Sequence, residues 1–555
     1  MSAPRSVGLV LGLVIYAVAA VFSAREVGVV GETDIGWALA RPPDVSVGWS
    51  GGVTTLLPAM GPFEARDTRP SEVLRLGEAY VPIAINDYTG GLADWPARVV
   101  RSLTGARSGG VAVHLVLGAM LLYLAHRFLR FHGTTTAAGA VALLLASDWV
   151  FVFFKRVLGG TEILLQAAGL LVLWSLWSRR WKGGQHGTIA IAVGVGLGLQ
   201  AKITFAATLS AFAAAALLTR WDRPKLKPPE SVHLSWLVGI VGLCIAPLLL
   251  ALIHRLEEWS PLAASQHPHA VSHDRLDLQW SRLSQGVVMG RESIMNVARF
   301  FGNPLGWLAD AWATDRRPTF DSVRFLGHGF VGWGTTLEWR RRTSSPSAAL
   351  LRFLSIAVPF QIGFLTLLNG DLHHLAQATV PFALWGALAL DRVAANFAPP
   401  RSVLRALVLG TLCLPAMISG VRSLAATDSV VRTARAHLFS RNGQDELRQL
   451  LDSSKAKRIV TTSYELYGMA EQLVPGVQFD HRWAAVSRGD RSVAGLRAVV
   501  GCDHYLSVRG SAPFIYDWRA EGIGREVASL HDRTGAWAIL YEGECIPGAR
   551  TRATP

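Results

Sequence analysis

The chain has 555 residues, of which 50% are hydrophobic and only 17% are charged. A soluble chain of this length would carry about 25% charged residues, so the composition excludes an ordinary soluble multidomain protein, a disordered chain and a disulfide-stapled scaffold. The formal net charge of +14 is compatible with nucleic-acid binding, but a basic cytoplasmic face explains it better in an apolar chain. We therefore interpret the chain as a multi-pass membrane protein.

Apolar runs recur through the first 420 residues, and a transmembrane helix needs about 20 mostly apolar residues. The clearest runs are Val7–Ser23, Val111–Leu129, Ala137–Phe154, Ile163–Trp177, Thr188–Ile203, Ala206–Leu218, Leu234–Ile253, Ala348–Leu368, Leu375–Leu390 and Val403–Ser419. A weaker run, Ser322–Trp339, is rich in glycine and contains His328. Together these runs predict a mainly α-helical polytopic membrane protein with about 11 transmembrane helices.

Basic residues in the short loops predict the orientation of these helices. With the N-terminus and Arg5 in the cytoplasm, every second loop is basic, provided that Ser322–Trp339 counts as a span. This orientation puts the long segments 24–110 and 257–321 outside. The first run also has features of a signal peptide, but an uncleaved helix suits a chain with ten further runs better. We expect a protein of the cytoplasmic (inner) membrane, with its N-terminus in the cytoplasm.

The composition changes near residue 421, beyond which charged residues are as frequent as in a soluble protein. We therefore predict a membrane domain over residues 1–420 and a small soluble extracytoplasmic α/β domain over residues 421–555. In the second domain, Ala456–Thr462 and Tyr505–Val508 have strand patterns and Asp445–Ser453 has a helix pattern. Its aromatic residues could stack on carbohydrate, but packing in a core explains them better. Cys502 and Cys545 both fall here, where oxidation is allowed, so they can form a disulfide.

Two pairs of residues in the first outside segment can carry chemistry. Glu32 and Asp34 follow the first helix at the predicted membrane surface. A carboxylate there can act as a general base or ligate a divalent metal ion, although a solvated loop start is the simpler alternative. Asp87 and Tyr88 lie in the stretch Tyr80–Leu92, which has two glycines and suits either close approach to a ligand or a structural turn.

Other ionisable residues fall at predicted outer helix ends. Arg156 and Glu162 straddle the turn between the third and fourth helices, and Lys202 ends the fifth. Such a residue is costly unless it pairs or faces water, so Lys202 either binds phosphate or reaches toward the interface. His373 and His374, at the end of the ninth helix, can ligate metal, bind phosphate or shuttle protons, or simply form a polar turn.

Two further patterns have weaker functional content. His269 and His273 are four residues apart, as in a helical metal pair, but Pro268 and the lack of a closing motif argue against a metal site. Gly194, Gly196 and Gly198 alternate inside an apolar run. Because no strand precedes them, close helix packing explains these glycines better than a nucleotide-binding loop.

The order of these features resembles that of the GT-C membrane glycosyltransferases, which include protein O-mannosyltransferases and lipid A aminoarabinose transferases. The resemblance covers roughly residues 1–420. It is carried by the segments Glu32-Thr33-Asp34, Pro82 to Leu92 with Leu103-Thr104-Gly105, Gly198 to Lys202, and His373-His374 with Pro381-Phe382.

The resemblance implies a sugar donor linked to polyprenyl phosphate, a lipid, glycan or protein acceptor, and no nucleic-acid partner. It puts Asp34 at the position of the base that deprotonates the acceptor. It implies that the donor is held by Lys202, Arg156, Tyr88, His373 and His374. The family often has an acid soon after the arginine that ends the third helix, whereas here the next acid is Glu162. Glu32, Asp87 and Glu162 are therefore candidates for a second acid or for ligands of a divalent metal ion.

Two other functions fit the same features. Buried charges and glycine-interrupted helices also occur in transporters and flippases, although no repeat relates the two halves of this sequence. A non-catalytic scaffold with a GT-C-like fold is the third interpretation, because the usual acid after Arg156 is missing.

Overall fold

The structure is a computed structural model of the whole chain. It describes residues 7–26, 54–55, 72–76, 79–86, 89–104, 107–157, 160–182, 186–219, 235, 238–246, 295–303, 321–341, 343–368, 372–399, 402–431, 441–461, 474, 477–481, 496–497, 500–508, 522–532 and 535–544.

Helices dominate the described chain up to residue 431. They are α1 (Val7–Glu26), α2 (Trp95–Thr104), α3 (Arg107–His132), α4 (Thr135–Ser147), α5 (Trp149–Val157), α6 (Gly160–Lys182), α7 (His186–Ala201), α8 (Phe205–Leu218), α9 (238–246), α10 (295–302), α11 (Ser322–Arg341), α12 (Pro346–Leu368), α13 (Leu372–Leu375), α14 (Thr379–Ala394) and α15 (Val403–Val431).

Four described helices are long and apolar enough to cross a membrane. These are Ala112–His132, Gly160–Ser178, Pro346–Leu367 and Val403–Thr427. Shorter apolar helices occupy Val7–Val21, Thr135–Ser147, Gly187–Ala201 and Phe205–Leu218. The apolar helices agree with the predicted membrane protein, and the count of about 11 spans stays a prediction.

Helix α4 lies at the centre of the main core, because it packs against α1, α3, α14 and α15. Its residues Val141 and Leu145 are fully buried. Small residues allow the close packing: a Cβ at Gly8 of α1 would lie 2.7 Å from the Cα of Gly139, and one at Gly420 of α15 would overlap the carbonyl oxygen of Ser147.

The apolar run Ala137–Phe154 forms two helices rather than the single span that the sequence predicts. Asp148 separates α4 from α5 with an extended backbone, at φ −76° and ψ 116°. Its Oδ1 accepts a hydrogen bond from the N–H of Phe151 at 2.9 Å and so caps α5. This N-cap stabilises the start of α5 at Trp149, and α4 therefore ends before Asp148.

The glycines that alternate along α7 allow close packing against three different helices, α6, α9 and α8. A Cβ at Gly194 would lie 2.8 Å from Cγ2 of Val172, one at Gly196 would overlap Cys244 of α9, and one at Gly198 would overlap the ring of Phe205. The close helix packing that the sequence predicts for these glycines is confirmed.

Two buried carboxylates join helices at the end of the bundle where α14 ends and α15 begins. Asp391 of α14 accepts hydrogen bonds from Thr134 at 2.7 Å and Thr136 at 2.6 Å, and from Nε and Nη2 of Arg405 at 2.9 and 2.8 Å. Glu338 of α11 pairs with Arg352 at 2.6 Å and with Arg392 at 3.2 Å. A buried acid with this many donors is well satisfied.

The segment between α1 and α3 contains a small antiparallel sheet. Its strands, in the order in which they pair, are β1 (Thr54–Thr55), β2 (Glu72–Leu76), β3 (Ala79–Asn86) and β4 (Thr89–Gly90). A 3-10 turn, Leu92–Asp94, and helix α2 follow. The stretch Tyr80–Leu92 is therefore largely strand rather than irregular loop, and Leu103 and Thr104 end a helix.

The C-terminal region folds around a five-stranded mixed sheet. It contains α16 (Arg441–Ser454), β5 (Arg458–Thr461), β6 (Gln478–His481), β7 (His504–Val508), β8 (Gly524–Asp532) and β9 (Gly535–Gly543). The strand order is β6-β5-β7-β9-β8, and α16 packs against β8. The predicted strands and helix are confirmed, whereas a separate soluble domain stays a prediction. Tyr505 is buried and stacks with Tyr541, so it packs in the core as expected.

Candidate functional site

Several predicted site residues lie outside the part of the chain that the structure describes. These are Glu32, Asp34, Asp87, Tyr88 and Cys545. The side chains of Arg156 and His373 are likewise not described, although their backbones lie in α5 and α13. Apart from Cys502, the predicted site residues whose side chains the structure describes are Glu162, Lys202 and His374.

These three ionisable side chains are almost completely buried. Lys202 is 0% exposed, and Glu162 and His374 are each 1% exposed. Glu162 lies in the first turn of α6, Lys202 directly follows α7, and His374 lies in α13. Because burying a charge is costly, three such residues in helix-end positions mark a specialised region rather than general packing.

The antiparallel packing of α6 and α7 brings Glu162 and Lys202 to the same level of the bundle. Gly194 of α7 lies against Ala168 and Val172 of α6. Lys202 lies eight residues after Gly194. Because the two helices run in opposite directions, the facing part of α6 lies about eight residues before Ala168 and Val172, in the first turn that contains Glu162. The packing thus places an acid and a cation that are 40 residues apart in sequence at about the same height in the hairpin.

A 3-10 turn at Ala376–Ala378 connects this region to the start of α14. Nε2 of Gln166, on α6, donates to the carbonyl oxygen of Ala376 at 2.5 Å. Nε2 of Gln377 donates to Oγ1 of Thr204 at 2.8 Å. Since Thr204 is two residues beyond Lys202, these bonds fix the turn that carries the buried cation against α6 and α14.

A second layer of amide contacts lies one helical turn further along α8. Nε2 of Gln361, on α12, donates to Oγ1 of Thr208 at 2.7 Å. The amide oxygens of Gln200, Gln361 and Gln377 are buried and have no hydrogen-bond partner within the described part of the chain. Buried acceptors are normally paired, so these oxygens suit a ligand or water that donates hydrogen bonds.

These glutamines and threonines are not among the site residues that the sequence predicts. Gln166, Gln200 and Gln361 each interrupt an apolar run, and a polar side chain within a predicted span is the signal that could have identified them. The same signal applies to Asp148, which lies inside the run Ala137–Phe154.

The segment between α1 and α3 contacts the hairpin of α6 and α7. The 3-10 turn Leu92–Asp94 packs against α6 and α7, and β4 packs against α7. Strand β4 begins directly after Tyr88, so it brings this part of the chain to α7. The grouping of Asp87 and Tyr88 with Lys202 stays a prediction.

A second polar centre lies at the break between α4 and α5. Nη2 of Arg324, on α11, donates to Oδ2 of Asp148 at 3.2 Å and to the carbonyl oxygen of Phe300 at 3.0 Å, while its Nε donates to the carbonyl oxygen of Phe301 at 3.1 Å. Nε2 of His328 lies 2.8 Å from the Phe301 oxygen. Arg324 thus caps the C-terminal end of α10, where the helix dipole stabilises a positive charge.

The described residues offer no group of three or more His, Cys, Asp or Glu side chains that could hold a metal ion. Glu32, Asp34 and Asp87 lie outside the described residues, so a metal site that includes them stays a prediction.

The redox state is known for three of the four cysteines. Cys244 and Cys413 are free thiols, and Cys502 is disulfide-bonded. Its pairing with Cys545 stays a prediction.

Solved structures with a similar fold are GT-C membrane glycosyltransferases. ArnT from Cupriavidus metallidurans, bound to undecaprenyl phosphate, is 12% identical, with a TM-score of 0.56 over 96% of this chain and 97% of ArnT; its apo state gives a TM-score of 0.55. The oligosaccharyltransferase AglB from Archaeoglobus fulgidus, in complex with an inhibitory peptide and a dolichol-phosphate, is 13% identical, with a TM-score of 0.48 over 90% of this chain and 69% of AglB.

No protein-family model matches the sequence, and no curated protein sequence matches it either. The chain thus has the GT-C fold, which confirms the fold that the sequence resemblance implied. The four described helices that are long and apolar enough to cross a membrane agree with a membrane location.

Proposed function

We propose that this chain is a membrane glycosyltransferase that moves a sugar from a polyprenyl-phosphate donor to a lipid, glycan or protein acceptor. The reaction takes place on the extracytoplasmic face of the cytoplasmic membrane. In this proposal about 11 helices span the membrane and the N-terminus is cytoplasmic. Residues 421–555 form an extracytoplasmic domain, to which no partner is assigned.

The observation that carries the proposal is the buried Lys202 at the end of the α6–α7 hairpin, level with Glu162. A buried cation at a helix end can hold a phosphate group. The donor lipid stays in the bilayer, so its phosphate must be met at a membrane surface. The GT-C fold supports the same assignment, since the similar ArnT structure is bound to undecaprenyl phosphate.

The proposed chemistry is a single displacement at the donor sugar. Asp34 removes the proton from the acceptor hydroxyl, and the hydroxyl oxygen attacks the anomeric carbon of the donor sugar. The bond from the anomeric carbon to the phosphate oxygen breaks, and the electron pair leaves with the polyprenyl phosphate. Lys202 and Arg156 stabilise the negative charge of that leaving group. One displacement inverts the anomeric configuration.

The remaining site residues bind and orient the donor. The amide oxygens of Gln200 and Gln377 can accept hydrogen bonds from sugar hydroxyl groups, which would satisfy these buried acceptors. Tyr88, His373 and His374 contribute to the same donor site, and Glu162 is the candidate for the second acid. Glu32 and Asp87 are the remaining acids of the outside segment and the candidates for a divalent metal ion.

The test compares two variants of the purified protein with a matched lysine control. Transfer is measured with a panel of undecaprenyl-phosphate-linked monosaccharides in vesicles that contain the purified protein and extracted native membrane components, and undecaprenyl phosphate binding is measured by native mass spectrometry. We expect Asp34→Asn to bind the lipid but to lose transfer, because the base is removed. We expect Lys202→Met to lose binding, whereas Lys457→Met in the C-terminal region behaves as wild type.

Three outcomes would contradict the proposal. Wild-type transfer by Asp34→Asn would remove the assignment of the base. Absence of both lipid binding and transfer in the wild-type protein would favour the non-catalytic scaffold. Movement of an intact labelled donor across reconstituted vesicles without sugar transfer would favour a flippase.

A further inference from the structure

An apolar groove lies between α11 and α12, away from Lys202. It has a volume of about 620 Å³, within the range of roughly 300–1,000 Å³ that ligand pockets occupy. Its wall on α12 includes Ile362 and Gly363, its wall on α11 includes Val331 and Gly332, and its floor on α14 includes Phe382. The lining is almost entirely apolar, so the groove suits a hydrocarbon rather than a sugar or a phosphate.

Two glycines line open space in this groove. A Cβ placed on Gly332 or Gly363 would meet no atom of the described chain within 4 Å. The groove also continues onto an apolar outer surface, where Phe360 and Leu367 of α12 and Phe325 of α11 are exposed. In a membrane protein such a surface faces lipid, so a lipid chain can enter the groove sideways.

The groove and the Lys202 region lie on different faces of α12. Gln361 points toward α8, where it bonds to Thr208, whereas Ile362, Gly363 and Thr366 line the groove. Ile362 is buried in an apolar cluster that also includes Ala207 of α8. A donor whose phosphate is held at Lys202 would therefore need its tail to pass around α12 to reach the groove.

Both sites nevertheless lie near the start of α14. Gln377, which bonds to Thr204 beside Lys202, lies five residues before Phe382 at the floor of the groove. Helix α10 covers the groove through Val297 and Phe301, and Arg324 fastens the end of α10 to Asp148. Two lipids bound at these sites would present their head groups on one membrane surface.

We propose that the groove between α11 and α12 binds an acyl chain of the acceptor, and that the acceptor is therefore a lipid. The acceptor role depends on the proposed glycosyl transfer. The occupant is a second lipid rather than the donor, because the packed face of α12 separates the groove from Lys202.

The test uses two photoactivatable lipids in vesicles that contain the full-length protein. One is a phosphatidylethanolamine with a diazirine in its acyl chain, and the other is a polyprenyl phosphate with a diazirine in its tail. Crosslinked peptides are mapped by mass spectrometry. We expect the acyl probe to label the groove-facing peptides of α11 and α12, and the polyprenyl probe to label other peptides.

Two variants fill the groove and a third serves as the matched control. Gly332→Phe and Gly363→Phe should each reduce acyl labelling of the groove by roughly tenfold, because the ring displaces several methylene groups. Gly410→Phe on α15 adds the same side chain where a Cβ also meets no described atom, outside the groove, and should leave labelling unchanged. The thermal stability of all three variants in detergent shows whether they are folded.

Labelling of the groove by the polyprenyl probe instead of the acyl probe would overturn the inference, as would acyl labelling that neither glycine variant reduces. Acyl labelling of the groove in a protein that turns over no donor would overturn the acceptor role, because the proposed function itself would then have failed. Loss of acyl labelling with normal donor turnover would overturn the inference alone.

Discussion

Gln377 donates a hydrogen bond to Thr204 at 2.8 Å and so joins the turn before α14 to the turn that carries Lys202. The two residues are 173 positions apart in the chain. The position of the buried cation thus depends on a helix that comes much later in the sequence, and not only on the α6–α7 hairpin.

Replacing Gln377 should therefore weaken donor binding. We expect Gln377→Leu to reduce undecaprenyl phosphate binding by roughly tenfold, because the Lys202 turn loses its link to α14. Thr427→Val is the matched control, since it removes another buried bond between distant helices, the one that Nε1 of Trp149 donates to Thr427 at 2.8 Å, which does not involve the Lys202 turn. Native mass spectrometry would measure both, and equal binding by the two variants would contradict the assigned role of Gln377.

The Asp148–Arg324 pair should matter for stability, since both side chains are largely buried, at 17% and 7% exposure. Removing one member of such a pair costs about 3–5 kcal/mol, so Asp148→Asn and Arg324→Met should both lower the melting temperature in detergent clearly. The exposed pair Arg525–Glu542 is the control. Its Arg525→Met variant should change stability by less than about 1 kcal/mol. Similar effects at the two pairs would show that Arg324 does not hold α10.

Arg405 should tolerate lysine poorly although the charge is kept. Its guanidinium bonds to Asp391 through both Nε and Nη2, and a lysine ammonium cannot reproduce this two-point contact. We expect the order of thermal stability to be wild type, then Arg405→Lys, then Arg405→Met. Equal stability of the wild type and Arg405→Lys would mean that charge alone holds the helix junction.

Gly198 should not accept a larger residue while Phe205 is present. A Cβ at position 198 would overlap the Phe205 ring, so Gly198→Ala should lower the yield of folded protein, and Phe205→Leu in the same chain should restore part of it. Gly410→Ala, at a position with open space, is the control. Size-exclusion chromatography in detergent measures the folded fraction. An additive effect of the two changes would argue against direct packing.

The Cys502–Cys545 disulfide can be tested by a non-reducing peptide map. We expect one linked peptide pair, because Cys502 is disulfide-bonded and Cys244 and Cys413 are free. Free thiols at both Cys502 and Cys545 would contradict the pairing and would also argue against an extracytoplasmic C-terminal region.

The sequence predicts the membrane fold well because long apolar runs have few alternatives to helices. It also identifies Glu162 and Lys202, since a charge next to an apolar run stands out. It does not predict the break at Asp148, because an aspartate that caps the next helix looks the same in sequence as one that interrupts a span. The contacts of Gln377 with Thr204, and of Gln361 with Thr208, depend on helix packing over more than 150 residues, which no local pattern encodes.

Helix α12 contains Pro359, which cannot donate the backbone hydrogen bond of its position. The part of α12 before Pro359 is anchored through Arg352 to Glu338. The part after it carries both Gln361, toward the Lys202 region, and Gly363, toward the groove. A small swing of this outer part about the proline would change both faces together. We therefore expect occupancy of one site to change the affinity of the other, so that the two substrates bind with linked rather than independent affinities.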